Sequence, residues 1–249
     1  MIRSMEEFTS AFQAARCVST PLVAIRMADP ASTTHFITET LRQGRKIPPL
    51  LGWDIVRGLY AIGRDSGDEL ARVLGERQAA TIGPVDALFL AQQLCEDGLL
   101  LYSNAHRFWN DAGVMQGIWD LRDSFKATGR MLVLLAAPGA TLPQELGQDV
   151  LLLDEPLPSN THLEQIVRDT FNAANLTEPE RPVVVKAVDA LKGLAAFPAE
   201  QALAISLVKR QLAIQKTSGS ASAKSLNKHR ACQCGGAVRP LKILAAFKT

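Results

Sequence analysis

The sequence predicts an α/β fold in which a parallel sheet is covered by helices and followed by a small helical lid. Two observations predict the sheet. Short apolar runs alternate with longer amphipathic stretches up to Pro158, and the runs are continuous, as in strands buried on both faces. A third observation predicts the lid, because strand-like runs stop after Pro158 and three helical stretches follow.

Four of the apolar runs are predicted strands, and three helices are predicted between them. The strands are residues 21–27, 98–103, 131–138 and 150–157. The helices are residues 30–43, 85–97 and 113–129, where apolar side chains recur at helical spacing.

The lid is predicted from three further stretches. These are residues 161–175, 178–194 and 197–215, each entered through a Thr, Glu-Pro or Pro-containing start. We therefore divide the chain into an α/β domain at residues 1–158, a helical lid at 159–216 and a disordered tail at 217–249.

The composition bounds the class of protein. With 249 residues, 47% of them hydrophobic, the chain can bury a large core. No apolar run approaches the roughly 20 residues that cross a bilayer, and the N-terminus has acids where a secretion signal needs an apolar stretch. We expect a cytoplasmic protein without membrane contact. The four cysteines are too few and too scattered for a disulfide scaffold, and we predict no metal site.

The charge is distributed unevenly along the chain. Nine of the 27 Lys and Arg residues follow Glu200, the last acid, which leaves 18 bases against 25 acids before that point, a net of about −7. A basic C-terminal arm on an acidic body usually suggests nucleic acid or an anionic surface as a partner.

A phosphate-binding loop is expected after a strand at the C-terminal edge of such a sheet. The motif G-x-x-x-x-G-K-[ST] is not found there, since the first strand is followed by RMADPASTTHF, which has neither Gly nor Lys. The nearest imitation, residues 218–225, has Ser218 and Ala223 in place of the two glycines and follows a helix. We therefore predict no working phosphate loop.

The ends of two later strands also lack the polar groups of nucleotide chemistry. Ser103, Asn104 and Ala105 follow one strand without a carboxylate, where a magnesium-binding acid would stand, and Ala136–Pro138 end another. The candidates for ligand binding are Arg26, His106 and Arg107. For His106, a turn capped by Asn104 with a partly exposed imidazole is the favoured interpretation.

Other conspicuous residues are interpreted as structural. We expect Trp53, Trp109 and Trp119 to pack in the core, although tryptophans can also form a base-stacking surface. Cys17 and Cys95 are expected to be small buried side chains. Asp54 and Arg57 are predicted to form an ion pair on a helical or turn face.

Several spaced segments resemble the N-terminal half of a AAA+ ATPase family of the Ycf46 type. The most specific are GWDIVRGL at residues 52–59 and GLAAFPAEQALAISL at 193–207, and the resemblance covers about residues 5–216. It implies a P-loop NTPase-like fold of AAA+ topology in a degenerate, non-hydrolysing domain. Such a domain precedes a catalytic AAA+ domain and serves assembly, partner contact or regulation. Asn104 departs from the family's usual Asp-x-His-Arg form.

The resemblance also offers an interpretation of the tail. Read one base out of register, its codons allow an uninterrupted sequence containing F-E-D-I-G-G, which matches the family's approach to a true P-loop. We therefore expect an out-of-frame tail that begins near Lys216. By the same resemblance this truncated chain is no enzyme and carries no cofactor, while ATP and Mg²⁺ belong to the parent ATPase. Protein partners or AAA+ subunits are expected, with a homo-oligomer as one possibility and nucleic acid disfavoured.

Two alternatives stay open at this point. A nucleotide-binding protein with an unconventional site would bind ATP tightly through Arg26 or Arg107. A basic-tailed nucleic-acid-binding protein would lose affinity steeply with salt and on removal of residues 217–249.

Overall fold

The computed structural model describes residues 4–44 and 47–219, and it contains two compact units divided between Pro156 and Leu157. The first unit is an α/β structure and the second is helical. The fold class predicted from the sequence is therefore confirmed.

A six-stranded sheet lies at the centre of the first unit. Its strands are β1 (Leu22–Arg26), β2 (Leu50–Asp54), β3 (Gly58–Ile62), β4 (Leu99–Tyr102), β5 (Met131–Ala136) and β6 (Leu151–Asp154). Their spatial order is β3-β2-β4-β5-β1-β6, and every neighbouring pair is parallel except β2 and β3. The four predicted strands are β1, β4, β5 and β6.

The hairpin of β2 and β3 was not predicted, because its local signals are weak. Gly52 interrupts the apolar run of β2, and the turn lacks the Asn-Gly or Asp-Gly pair that marks tight hairpins. Asp54 closes the turn instead. Its Oδ1 accepts hydrogen bonds from the backbone N–H groups of Val56, at 2.9 Å, and Arg57, at 2.7 Å. Arg57 Nε lies 2.5 Å from Asp54 Oδ2, so the predicted ion pair is confirmed and lies in a turn.

Helices cover both faces of the sheet. The helices of this unit are α1 (Met5–Cys17), α2 (Pro30–Arg42), α3 (Gly67–Leu74), α4 (Pro84–Ala91) and α5 (Ala112–Thr128). One face packs against α1 and α2 and the other against α3, α4 and α5. The predicted helices correspond to α2, α4 and α5, although α4 ends six residues before Asp97, where its prediction ended. Helices α1 and α3 were not predicted.

Burial on both faces holds for the central strands but not for β6. Every residue of β4 and β5 is buried. Within the described sheet, strand β6 pairs with β1 alone and lies at the edge, where Leu151 and Leu152 remain 38% and 37% exposed. Its apolar run therefore predicted the strand correctly and its burial wrongly.

The second unit consists of three helices around one apolar cluster. They are α6 (Asn160–Ala173), α7 (Arg181–Leu191) and α8 (Ala196–Gly219), in agreement with the three predicted helices. The buried members of the cluster are Leu163, Val167, Phe171, Val184, Ala187, Val188, Leu191, Ala199, Leu203 and Leu207. Helix α8 continues three residues beyond Lys216, where we expected the tail to begin. The rest of the predicted tail, residues 220–249, lies outside the described residues.

Predictions for the tryptophans and cysteines were right only in part. Trp53 is fully buried and donates its indole N–H to the Ile82 carbonyl at 2.8 Å. Trp119 is 42% exposed, because its neighbour Ile118, and not Trp119 itself, lies on the buried side of α5. Cys17 is exposed and Cys95 half-buried, so neither is the buried side chain that we expected.

Residues 4–44 and 47–219 contain neither a membrane-spanning helix nor a metal-binding cluster. None of the helices between residues 4 and 219 combines the length and apolar character that a bilayer crossing demands. Within the same part of the chain, no three His, Cys, Asp or Glu side chains lie together as a metal site would require.

Candidate functional site

The C-terminal end of β1 leads into the N-terminus of α2, which is where a phosphate would bind in a nucleotide-binding sheet. Asp29 is the N-cap of α2, and Pro30 occupies its first turn. The Asp29 Oδ1 atom accepts hydrogen bonds from the backbone N–H groups of Ala31, at 3.0 Å, and Ser32, at 3.3 Å. A carboxylate of this chain therefore binds the amides at the start of α2, and it supplies the negative charge that a helix N-terminus favours.

Arg26, a candidate from the sequence, lies at the last position of β1 directly opposite Asp154 of β6. Their side chains form a two-point ion pair, with Nε–Oδ1 at 2.5 Å and Nη2–Oδ2 at 2.7 Å. Hydrogen bonding to Arg26 holds the pKa of Asp154 below its ordinary value, and the same bond raises the pKa of Arg26. This guanidinium is thus already paired with a carboxylate at the sheet edge.

Glu155 follows Asp154 and lies against the buried side chain of Thr33 in the first turn of α2. The Thr33 hydroxyl is 2.9 Å from Glu155 Oε2 and also 2.9 Å from the Asp29 main-chain oxygen. Burial, with a smaller contribution from the Asp29 carboxylate, raises the pKa of Glu155. Because one hydroxyl hydrogen serves two acceptors, a proton on Glu155 would complete this set of hydrogen bonds.

The ends of β4 and β5 meet through His106, another candidate residue. Asn104 adopts a left-handed backbone conformation with φ of 55°, and its side chain makes no capping bond to a described residue, so the expected cap is a backbone turn only. The half-buried His106 accepts a hydrogen bond at Nδ1 from the backbone N–H of Ala137, at 3.3 Å. Burial, helped by the neighbouring Arg107, lowers the pKa of His106, in the direction that favours an imidazole accepting a hydrogen bond at Nδ1. Arg107 itself is exposed.

A groove of about 660 Å³ runs between α2 and the β2–β3 hairpin, and its lining includes His35, Arg42 and Arg57. Both guanidinium groups already have carboxylate partners, because Arg42 pairs with Glu39 and Arg57 with Asp54. The Arg57 guanidinium also stacks on the Tyr60 ring, 3.7 Å from its centroid.

Sequence reasoning did not identify Asp29, Asp154 or Glu155 as members of this edge. A signal existed for Asp29, because an Asp before Pro-Ala-Ser at the start of a predicted helix is a typical N-cap. Asp154 and Glu155 reach the edge through the pairing of β6 with β1, which only the structure reveals.

The family to which these features belong is decided by comparison with known sequences. The family described as "SpoVK-like AAA ATPase, N-terminal domain" matches residues 5–155, more than half of the chain. The chain belongs to this family. The resemblance to the N-terminal part of a AAA+ ATPase is thereby confirmed. No curated protein matches the sequence.

Solved structures share the fold of this SpoVK-like N-terminal domain at low sequence identity. A DNA replication initiation factor matches with a TM-score of 0.53 and 10% identity, over 84% of this chain and 62% of its own. A variant of Thermotoga maritima RuvB matches with a TM-score of 0.53 and 12% identity, over 87% and 64%. The FIGL-1 AAA domain in complex with ADP matches with a TM-score of 0.52 and 12% identity, over 87% and 75%. The chain thus spans less than two thirds of the first two structures, and the likeness is one of AAA+ fold.

Proposed function

We propose that this SpoVK-like N-terminal domain is a non-catalytic AAA-like module that contacts partners and regulates an ATP-hydrolysing AAA+ domain outside this chain. The observation that carries the proposal is the Asp29 carboxylate on the N–H groups of Ala31 and Ser32. A triphosphate at this position would have to displace the Asp29 carboxylate from the helix N-terminus. It would only replace one negative partner of that positive helix end with another.

The charges around Asp29 support the same conclusion. Asp154 and Glu155 lie at the ends of the adjacent strand pairing, and the nearby guanidinium of Arg26 is held by Asp154. A phosphate chain at the start of α2 would therefore meet the Asp29 carboxylate and the nearby Glu155 side chain, while the Arg26 guanidinium is already paired with Asp154. This set fits a triphosphate poorly, because buried or partly buried like charges repel strongly.

Nucleotide binding by the isolated chain tests the first half of the proposal. We expect calorimetric titration with MgATP to show no saturable binding at concentrations up to about 1 mM. Any binding would then be weaker than a free energy of about −4.1 kcal/mol. Saturable binding that is lost in Arg26→Ala or Arg107→Ala would contradict the proposal and favour an unconventional nucleotide site. Arg77→Ala is the matched control, since it removes an exposed guanidinium that lies after α3 and away from the candidate residues.

The regulatory half is tested in an ATPase of this family that contains both parts. The ATPase rate of the catalytic AAA+ domain alone is compared with the rate of the same domain joined to its N-terminal domain. We expect the rate or the apparent affinity for ATP to change about fivefold or more, the lower end of ordinary coupling between sites. Equal kinetics in both forms would contradict a regulatory role.

A further inference from the structure

The N-terminal half of α5 carries a second, separate surface, which we call the tryptophan groove. It encloses about 330 Å³ and is lined by Trp109, Asp111, Ala112, Met115, Trp119 and Glu145, among others. Ala112, Met115 and Trp119 recur at helical spacing along α5, and Met115 also packs against the core. The groove thus borders the buried side of the helix, and the exposed Ala112 and Trp119 line it.

The indole N–H of Trp109 is an unusual feature of the groove. Its nitrogen is buried, and it makes no hydrogen bond to a described residue. Buried donors in proteins are nearly always paired, because leaving one unpaired forfeits the hydrogen bond that water would make. An acceptor from another chain that reached this nitrogen would recover that loss.

The charges at the groove select the kind of ligand. Among the residues that the structure describes, its lining includes two carboxylates, Asp111 and Glu145, and no Lys or Arg side chain. Asp111 also caps α5, accepting a hydrogen bond from the Val114 N–H at 3.0 Å, so the positive end of this helix is already neutralised. Two indoles beside two carboxylates favour a cation, because indole faces and carboxylates both attract positive charge.

The protein already contains one contact of this chemistry. The Arg122 guanidinium carbon lies 5.5 Å from the centre of the Trp119 ring, while its nitrogens bind Asp123 and Asp149. Trp119 is still 42% exposed. An indole and nearby carboxylates thus hold a guanidinium within the same helix, next to the groove.

We propose that the tryptophan groove binds a basic segment of a partner protein, with a cationic side chain between Trp109 and Trp119 and a main-chain carbonyl accepting from the Trp109 indole N–H. This names the partner chemistry for the contact role proposed above, and it rests on that role. Its test uses no nucleotide, so its failure would leave the result of the MgATP titration unchanged.

The indole N–H signals in a ¹H–¹⁵N spectrum of the full chain provide the test. The chain has three tryptophans, and Trp109→Phe and Trp119→Phe assign two of the signals. The third belongs to the buried Trp53, which serves as an internal reference. The probes are the peptide acetyl-Gly-Arg-Gly-amide and the same peptide with neutral citrulline in place of Arg, each titrated to about 10 mM.

We expect the Arg peptide to shift the Trp109 and Trp119 signals saturably, with no shift at Trp53. The citrulline peptide should bind at least about fivefold more weakly, because it loses the attraction of the cation to the indoles and carboxylates. Glu145→Gln should weaken binding of the Arg peptide about two- to fivefold. The control Glu76→Gln removes an exposed carboxylate outside the groove and should leave it unchanged. Absent shifts at Trp109 and Trp119, or equal binding of both peptides, would overturn the proposal.

Discussion

Replacing Asp29 with Ala should destabilise the first unit measurably, since it frees two amides at the start of α2. The side chain supplies both N-terminal hydrogen bonds of that helix, at 3.0 and 3.3 Å. Loss of an Asp N-cap typically costs about 1 kcal/mol, and loss of its charge at the helix end adds about 0.3–1 kcal/mol. We therefore expect the free energy of unfolding to fall by about 1–2 kcal/mol, or the Tm by about 3–6 °C for a unit of this size.

Tryptophan fluorescence during urea unfolding is the assay, because all three tryptophans lie in the first unit and the signal is free of the second. Asp29→Asn separates the two contributions. It keeps an acceptor oxygen and loses the charge, so it should cost only about 0.3–1 kcal/mol. Equal stability of wild type and Asp29→Ala, with an unchanged m-value, would refute the reasoning that this carboxylate holds the helix N-terminus.

Three further predictions concern the sheet edge and the hairpin. Asp154→Asn should lower the free energy of unfolding by up to about 1 kcal/mol at pH 7. Because Arg26 depresses the folded pKa of Asp154, this difference should begin to shrink as the pH falls below the ordinary Asp value of about 3.9, and it should vanish once the pH is below the lowered folded pKa. For Glu155→Gln, the difference in stability between wild type and variant should depend on pH in the opposite sense. Since the folded pKa of Glu155 is raised, wild type should lose stability relative to the variant as the pH rises above about 4.3, and parallel pH profiles in urea titrations would contradict this. Gly52→Ala should lower the free energy of unfolding by about 1–3 kcal/mol, because the added Cβ would clash with the Tyr60 ring, and unchanged thermal unfolding would argue against that contact.

The elements that the sequence predicted are those with strong local signals. The continuous apolar runs of β4 and β5 are long enough to indicate buried strands, and α5 shows a clear helical period. The β2–β3 hairpin was missed because its turn depends on a side chain, Asp54, rather than on glycine. The exposed position of Trp119 was missed because the type of residue was weighed more heavily than its place one residue after the buried Ile118.

The candidate site could be predicted only in part, because strand order brings its members together. Arg26 was identified from its place at the end of a strand, but its partner Asp154 lies 128 positions away and meets it through the pairing of β6 with β1. Likewise, the contact of Thr33 with Glu155 depends on that pairing. Local sequence can indicate a cap or a strand end, whereas the charge state of the edge depends on which strands are neighbours.

The backbone amide signals of Ala31 and Ser32 give the most direct measurement of the central claim. In a ¹H–¹⁵N spectrum of the full chain, MgATP or inorganic phosphate at about 1 mM should leave both signals in place. In Asp29→Ala, where the carboxylate no longer occupies these amides, the same phosphate should shift them. If MgATP shifts the Ala31 and Ser32 signals saturably in the wild-type chain, the start of α2 is a phosphate site, and the account of a non-catalytic module is wrong.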